Sequence, residues 1–280
     1  MRAKSIAHRG ASAYAPEHTR ASYRLAVEQG ADYVEQDLGV TSDGVLICLH
    51  DDSLERTTNV AEAFPDRAVV DPVTGQWTWR AVDFTIAEIS RLDAGSWFDP
   101  RFADERVLTW DDAVAIVGKD AGLYPELKSP ERYRNLGFDP GSLFVESFER
   151  LGLGTRPEGA LVLQSFDEIV LRQLANALPV IPRTFLVEVR DGSRRLTPEG
   201  LAQIAGFATG VGPDERLLDE RADIVRAAHE AGLVVVPYTF SSRVPGRLPD
   251  VRSEMTYYLT DLGVDALFTD NPDLFPDEHA

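Results

Sequence analysis

This chain of 280 residues has one cysteine, Cys48, so an internal disulfide is excluded and a reducing compartment suits it. No apolar run approaches the roughly 18 residues of a membrane-spanning helix, so no span is expected and the chain reads as soluble. Positive charge is scarce, with 28 Lys+Arg against 46 Asp+Glu and a net charge of -18. That balance disfavours nucleic acid or an anionic membrane as the main partner. The first residues also lack a charged stretch followed by the roughly 7–15 apolar residues of a secretory signal. The expected location is therefore cytoplasmic for the chain as given, or secreted or periplasmic if it has been trimmed. Nothing in the pattern fixes an oligomeric state.

What the chain does have is a series of short apolar runs, each closed by a polar motif: His8-Arg9-Gly10, Glu35-Gln36-Asp37, His50-Asp51 and Glu126-Leu127-Lys128. These supply two histidines, three metal-type carboxylates, an arginine and a lysine. The set suits metal-assisted cleavage of a phosphodiester, in which carboxylates hold a divalent cation, basic groups grip phosphate and two imidazoles exchange protons with attacking and leaving oxygens.

Alternation of apolar runs with helical patterns predicts a parallel sheet surrounded by helices, one domain over residues 1–280. Thr19–Gln29 reads as a helix with Ala21, Leu25 and Val27 inward and Gly30 as its stop. Val45–His50 follows Asp37 after only Thr41-Ser42-Asp43-Gly44, too short for a parallel crossover, so it must return as a hairpin. With the turn centred on Ser42-Asp43, His50 would face Glu35, Cβ atoms about 5 Å apart. Eight further strands are expected at Ser5–Arg9, Tyr33–Leu38, Leu123–Lys128, Ala160–Phe166, Arg183–Val187, Gly210–Pro213, Leu233–Phe240 and Val264–Asp270, the number a closed (β/α)8 barrel requires. Helices are expected at Asp167–Ala177, Pro198–Phe207, Leu217–Ala231 and Arg252–Leu262, and another, Thr109–Val117, returns the chain to the barrel. Asp52 to Arg106 is the one long excursion, placed like a lid or cap inserted just after His50.

Glu35 and Asp37, two apart on a strand, point to the same side. A surface strand could show that alternation without any function, but Glu126 repeats it at another strand end. Three converging carboxylates repel unless a cation compensates them, and an all-oxygen set favours calcium or magnesium over zinc. His8 and Arg9 are adjacent, so both reach one pocket only if the chain leaves strand geometry at Arg9, which Gly10 permits. His18 is a candidate for supporting the site, although a helix cap at Thr19 explains its segment equally well. His229 is expected to be solvated and His279 lies in a tail. Phe166 and Tyr238, at strand ends, are candidate substrate contacts, while Thr269-Asp270-Asn271-Pro272 reads as mostly structural.

Taken in order, Ala7-His8-Arg9-Gly10-Ala11-Ser12, Pro16-Glu17-His18-Thr19, Glu35-Gln36-Asp37, Asp43-Gly44, His50-Asp51, Arg56-Thr57-Thr58-Asn59, Pro125-Glu126-Leu127-Lys128, Gln164-Ser165-Phe166-Asp167 and Phe268-Thr269-Asp270-Asn271-Pro272 resemble the motifs of glycerophosphodiester phosphodiesterases, of the phosphatidylinositol-phospholipase-C-like barrel class. The likeness runs from Ile6 to about Phe275. It implies hydrolysis of glycerophosphodiesters such as glycerophosphocholine or glycerophosphoethanolamine to glycerol 3-phosphate and an alcohol, with a cyclic phosphate between. It further implies His8 and His50 as the acid–base pair, Glu35, Asp37 and Glu126 as metal ligands, Arg9 and Lys128 on the phosphate, and Phe166 and Tyr238 beside the glycerol. His18 stands where many members have asparagine, and Tyr238-Thr239-Phe240 where many have a tryptophan motif. Both variants resemble the branch of periplasmic and teichoic-acid-trimming enzymes, often described as calcium-dependent, which favours calcium. Two other readings remain at this level: exo-hydrolysis of glycerol phosphate units from teichoic acid, and a catalytically silent barrel that binds phosphodiesters or a protein.

Overall fold

The computed structural model describes residues 2–276 apart from 73 and 245; His279 lies outside the described residues. Its main sheet begins with β1 (Lys4–Ala7), β2 (Tyr33–Val40) and β3 (Leu46–Cys48). After a short separate hairpin of β4 (Val69–Val70) and β5 (Trp77–Thr78), it continues through β6 (Gly122–Leu127), β7 (Leu163–Ser165), β8 (Arg183–Val187), β9 (Gly210–Pro213), β10 (Val234–Val235) and β11 (Ala266–Thr269). Its strands run parallel in the order β10, β9, β8, β7, β6, β2, β1, β11, with β3 antiparallel beside β2. The two ends meet where Asp265 N donates to Val235 O (3.0 Å) and Phe240 N donates to Phe268 O (2.9 Å). The expected eight-stranded (β/α) barrel is thereby closed.

Local chemistry sets the elements. Thr19 caps the helix Arg20–Glu28 through a reciprocal bond pair with Ser22, and Gly30, at φ +79°, supplies the left-handed residue that ends it. The buried face is Ser22, Tyr23 and Ala26 rather than the expected Ala21, Leu25 and Val27, which are only partly buried. The Tyr23 ring turns that face inward, reaching the His18 imidazole. Thr109 and Asp112 likewise form the capping box of Trp110–Val117.

The β2–β3 hairpin is present with its register shifted by one residue. Leu38 pairs with Cys48 and Val40 with Leu46, so the loop is Ser42-Asp43-Gly44 with Gly44 at φ +77°. A three-residue loop ending in a left-handed glycine adds one residue to the expected turn, and His50 accordingly falls level with Gln36 rather than Glu35. Among the described residues outside the 52–106 segment, three α-helices were not anticipated, Pro130–Asn135, Pro140–Arg150 and Val189–Arg195, while the expected helix Leu217–Ala231 starts only at Ala222. Glu220 sits at φ +55°, which no helix accommodates.

Two large apolar clusters lie between the strands and the surrounding helices. A smaller one, Ile6, Tyr124, Val236, Ala266 and Phe268, fills the barrel itself. The Tyr124 ring stands edge-on to Phe268 at 5.2 Å, and its hydroxyl meets Thr184 Oγ1 at 2.6 Å. Residues 52–106 carry a further cluster around Leu54, Phe84, Ile89 and Leu92, which joins the barrel through Ile47 and Leu49 of the hairpin. Asp52 of this segment accepts from Arg132 at 2.7 Å, and Arg56 donates to Glu17 at 2.7 and 2.9 Å.

Candidate active site

All nine residues singled out from the sequence, His8, Arg9, Glu35, Asp37, His50, Glu126, Lys128, Phe166 and Tyr238, line one cavity of about 250 Å³ at the C-terminal ends of the strands. Gln164, Leu186, Thr239 and Phe268 complete its wall. In barrels of this type that end is where loops bring functional side chains together.

The strand β1 stops at Ala7, and the chain then turns with Arg9 at φ +58° and Gly10 at φ +88°. A Cβ on Gly10 would lie 2.6 Å from Ser22 Oγ, so only glycine fits there. This departure from strand geometry is what lets adjacent His8 and Arg9 both face the cavity. His8 Nδ1 donates to Asp270 Oδ1 at 2.6 Å, leaving Nε2 toward the carboxylates, 3.8 Å from Glu35 Oε2.

Parallel register does the rest. Asp37 is level with Glu126, and Glu126 with Gln164, so neighbouring strands deliver their side chains at one height. Glu35, Asp37 and Glu126 are all buried, and ligand oxygens of the three lie within 4.8 Å of one another. Lys128 Nζ is 3.3 Å from Glu126 Oε1 and 4.0 Å from Asp37 Oδ1. Arg9 Nε is 3.4 Å from Asp37 Oδ2, and the Arg9 backbone N–H donates to Glu35 Oε2 at 3.0 Å. Gln164 Nε2 donates to Glu35 Oε1 at 2.7 Å.

Charge is not balanced within this group. Burial, then repulsion from Asp37, pushes the Glu35 carboxyl well above the usual range. Burial also lifts Glu126 to about 8 despite Lys128. Burial opposes ionisation of Asp37 too, but Lys128 and His18 outweigh it and hold it well below the usual range. Three carboxylates confined this closely with too little positive charge, and all offering oxygen, fit a hard divalent cation.

Each imidazole is held by a carboxylate. His50 Nδ1 donates to Asp51 Oδ1 at 2.7 Å, which leaves its Nε2 for proton exchange. Burial lowers the pKa of both His8 and His50, followed for His8 by the charge of Arg9, while the Asp270 and Asp51 carboxylates beside them act in the opposite direction. The buried His18 bridges Asp37 Oδ2 (2.8 Å) and the Tyr23 hydroxyl (2.8 Å), while Thr19 beside it is a true cap. Both readings of that segment therefore hold. Phe166 and Tyr238 stand edge to face at 5.9 Å, and the Tyr238 hydroxyl is tied to Val187 O at 3.1 Å.

Sequence reasoning missed Asp270, which supports His8 rather than serving only the turn after β11. It also missed the roles of Glu17, Asp51 and Arg56, whose ion pairs ring the mouth. The available signal was position for three of them: Asp270 directly follows a strand, and Glu17 and Asp51 flank candidate histidines, whereas Arg56 had only its Arg-Thr-Thr-Asn motif. His229 is exposed, as expected, and pairs with Asp265 at 2.9 Å.

Comparison with known proteins identifies the family of this chain. The model of the glycerophosphoryl diester phosphodiesterase family matches residues 8–274. A glycerophosphodiester phosphodiesterase of Bacillus subtilis is 33% identical over 279 residues, covering 97% of this chain and 84% of the relative. Among solved structures, a glycerophosphodiester phosphodiesterase from Agrobacterium tumefaciens superposes with a TM-score of 0.72 at 28% identity, covering 98% of this chain and 99% of the other. A phosphodiesterase of Oleispira antarctica, in complex with the product sn-glycerol-3-phosphate, gives a TM-score of 0.75 at 26% identity, covering 96% and 94%. Likeness on this scale, over nearly the full length and with the same barrel, means that the chain belongs to the glycerophosphodiester phosphodiesterase family and is a phosphoric diester hydrolase.

Proposed function

We propose that this enzyme carries out metal-dependent hydrolysis of small glycerophosphodiesters, such as glycerophosphocholine and glycerophosphoethanolamine, to glycerol 3-phosphate and the free alcohol. The observation that carries this reading is the meeting of two carboxylate-held imidazoles, two cations and three under-compensated carboxylates in one cavity. The Oleispira relative's glycerol 3-phosphate complex supports the product.

Glu35, Asp37 and Glu126 would hold the divalent cation, which when bound neutralises phosphate charge and favours attack at phosphorus. Calcium is favoured by the branch that His18 and Tyr238 resemble, with magnesium the alternative. Arg9 can present two N–H groups to phosphate oxygens, and Lys128 adds a point charge. One histidine takes the proton from the glycerol 2-hydroxyl as its oxygen bonds to phosphorus. The other gives a proton to the alcohol oxygen as the P–O bond to the alcohol breaks. Water then adds to phosphorus and opens the cyclic phosphate at the 2-oxygen, leaving glycerol 3-phosphate. Asp51 and Asp270 fix the imidazole orientation for both transfers. Phe166 and Tyr238 flank the glycerol side of the cavity.

The test is glycerol 3-phosphate release from glycerophosphocholine, glycerophosphoethanolamine and a glycerol-phosphate polymer, after chelation and with calcium or magnesium restored. The reading expects cation-dependent release from the small diesters. His8→Ala and His50→Ala should each lose roughly 10²–10⁴-fold in rate. Faster release from the polymer would move the substrate to teichoic acid, and release unaffected by chelation would remove the cation.

A further inference from the structure

The Arg56 guanidinium, contributed by the 52–106 segment, joins two carboxylates that serve different halves of the site. Its Nη1 and Nη2 donate to Glu17 Oε2 and Oε1 at 2.9 and 2.7 Å, and its Nε donates to Asp51 Oδ2. Glu17 Oε1 also receives Arg9 Nη1 at 3.0 Å, while the other oxygen of Asp51 holds His50 Nδ1 at 2.7 Å. The result is a chain of paired polar groups from the His50 imidazole through Asp51, Arg56, Glu17 and Arg9 to Asp37.

We propose that Arg56 is a positioning residue for the reaction, setting His50 through Asp51 and Arg9 through Glu17 at once. This rests on the roles assigned above to His50 and Arg9. Without Arg56, Asp51 loses the partner that fixes the oxygen not used by His50, and Glu17 is left to draw on Arg9 alone. Burial of Glu17 opposes its ionisation, yet Arg56, followed by Arg9, holds its carboxyl down at about 2, so a charged Glu17 persists at neutral pH. Only a planar fork reaches both carboxylates; a single ammonium reaches one. The inserted segment thereby fixes the site without entering the cavity.

The experiment compares Arg56→Ala and Arg56→Lys with the unaltered enzyme in steady-state kinetics on glycerophosphocholine, with thermal unfolding measured in parallel. Arg56→Ala is expected to lower kcat by about 10²-fold through the displaced His50 and to raise KM through Arg9. Arg56→Lys should recover one of these effects and not both. Millimolar guanidinium should restore part of the Arg56→Ala activity. Unchanged kcat and KM in Arg56→Ala, full recovery by lysine, or a loss that guanidinium never relieves would each overturn the inference. His50→Ala and Arg9→Ala, assayed alongside, separate the two levels: near-normal turnover in them removes the assigned roles, whereas their failure beside a fully active Arg56→Ala removes only the role of Arg56.

Discussion

The His8 Nδ1 and a carboxylate oxygen of Asp270 lie 2.6 Å apart, although 262 positions separate them in the chain. Closure of the barrel explains it: Ala7 on β1 is level with Thr269 on β11, so the residues just beyond each meet. Ser12 Oγ also donates to Asp270 Oδ1 at 2.9 Å, holding the carboxylate in place. Burial opposes ionisation of Asp270, but His8 and its other hydrogen-bond donors keep it down at about 2. Asp270→Asn should lower kcat by about 10²–10⁴-fold, because an amide can turn its NH2 to Nδ1 and stabilise the wrong tautomer. A kcat within twofold of the unaltered enzyme, with folding intact by circular dichroism, would remove this role.

Cation removal should be visible in stability before activity is measured. Glu35, Asp37 and Glu126 repel one another, so a bound divalent cation stabilises the folded state, by about 2.7 kcal/mol at a hundred times its Kd. Thermal melts with EDTA, calcium and magnesium read this directly. Glu126→Gln should melt higher than the unaltered enzyme in EDTA, through relieved repulsion, and should lose the cation-dependent rise. A melting point indifferent to chelation would count against the three carboxylates as a cation site.

Stability should also vary with pH through Glu215. Burial, then the neighbouring Asp214 carboxylate, pushes its pKa from 4.5 to about 7. The folded state therefore keeps a proton that the unfolded chain has already released. That contribution is fully present below about 4.5 and is lost as pH rises through about 7. Glu215→Gln should melt progressively higher than the unaltered protein as pH goes from 5 to 9. Parallel curves over that range would contradict the shift.

Gly10→Ala tests the turn that delivers His8 and Arg9 together. The new methyl group would sit 2.6 to 2.8 Å from Ser22 at a backbone angle of +88°. We expect a cost of about 1–3 kcal/mol in stability together with loss of activity, since the strained turn relaxes by moving both side chains. Unfolding midpoints in urea and kcat/KM measured on one preparation decide this. Unchanged values in both would show that the turn tolerates a side chain.

Much of the site was legible because its residues announce themselves against their surroundings. Glu35 and Asp37 break an apolar strand, Gly10 follows two polar residues, and the short Thr41–Gly44 link could only be a hairpin. The one-residue error in its register came from Gly44, whose left-handed conformation lengthens the loop without any change in composition. Pro140–Arg150 escaped notice although Asp139 caps it and Pro140 opens it, because its buried face includes Gly141 and Ser147 beside only one large apolar residue, Phe144. Asp270 was passed over because a carboxylate before Asn-Pro also suits a turn.

The sequence by itself determined the alternation of strands and helices, the parallel sheet, the seven acidic, basic and imidazole groups of the cavity and the family likeness, since periodicity, turn chemistry and motif order are local properties. Tertiary structure alone decided which carboxylate serves which imidazole. Asp270 reaches His8 only when the last strand closes on the first, and Arg56 reaches Glu17 and Asp51 only when residues 52–106 pack against the β3 hairpin. Hydrogen bonds act over about 3 Å, and no pattern along the chain carries information about distances that packing has yet to set.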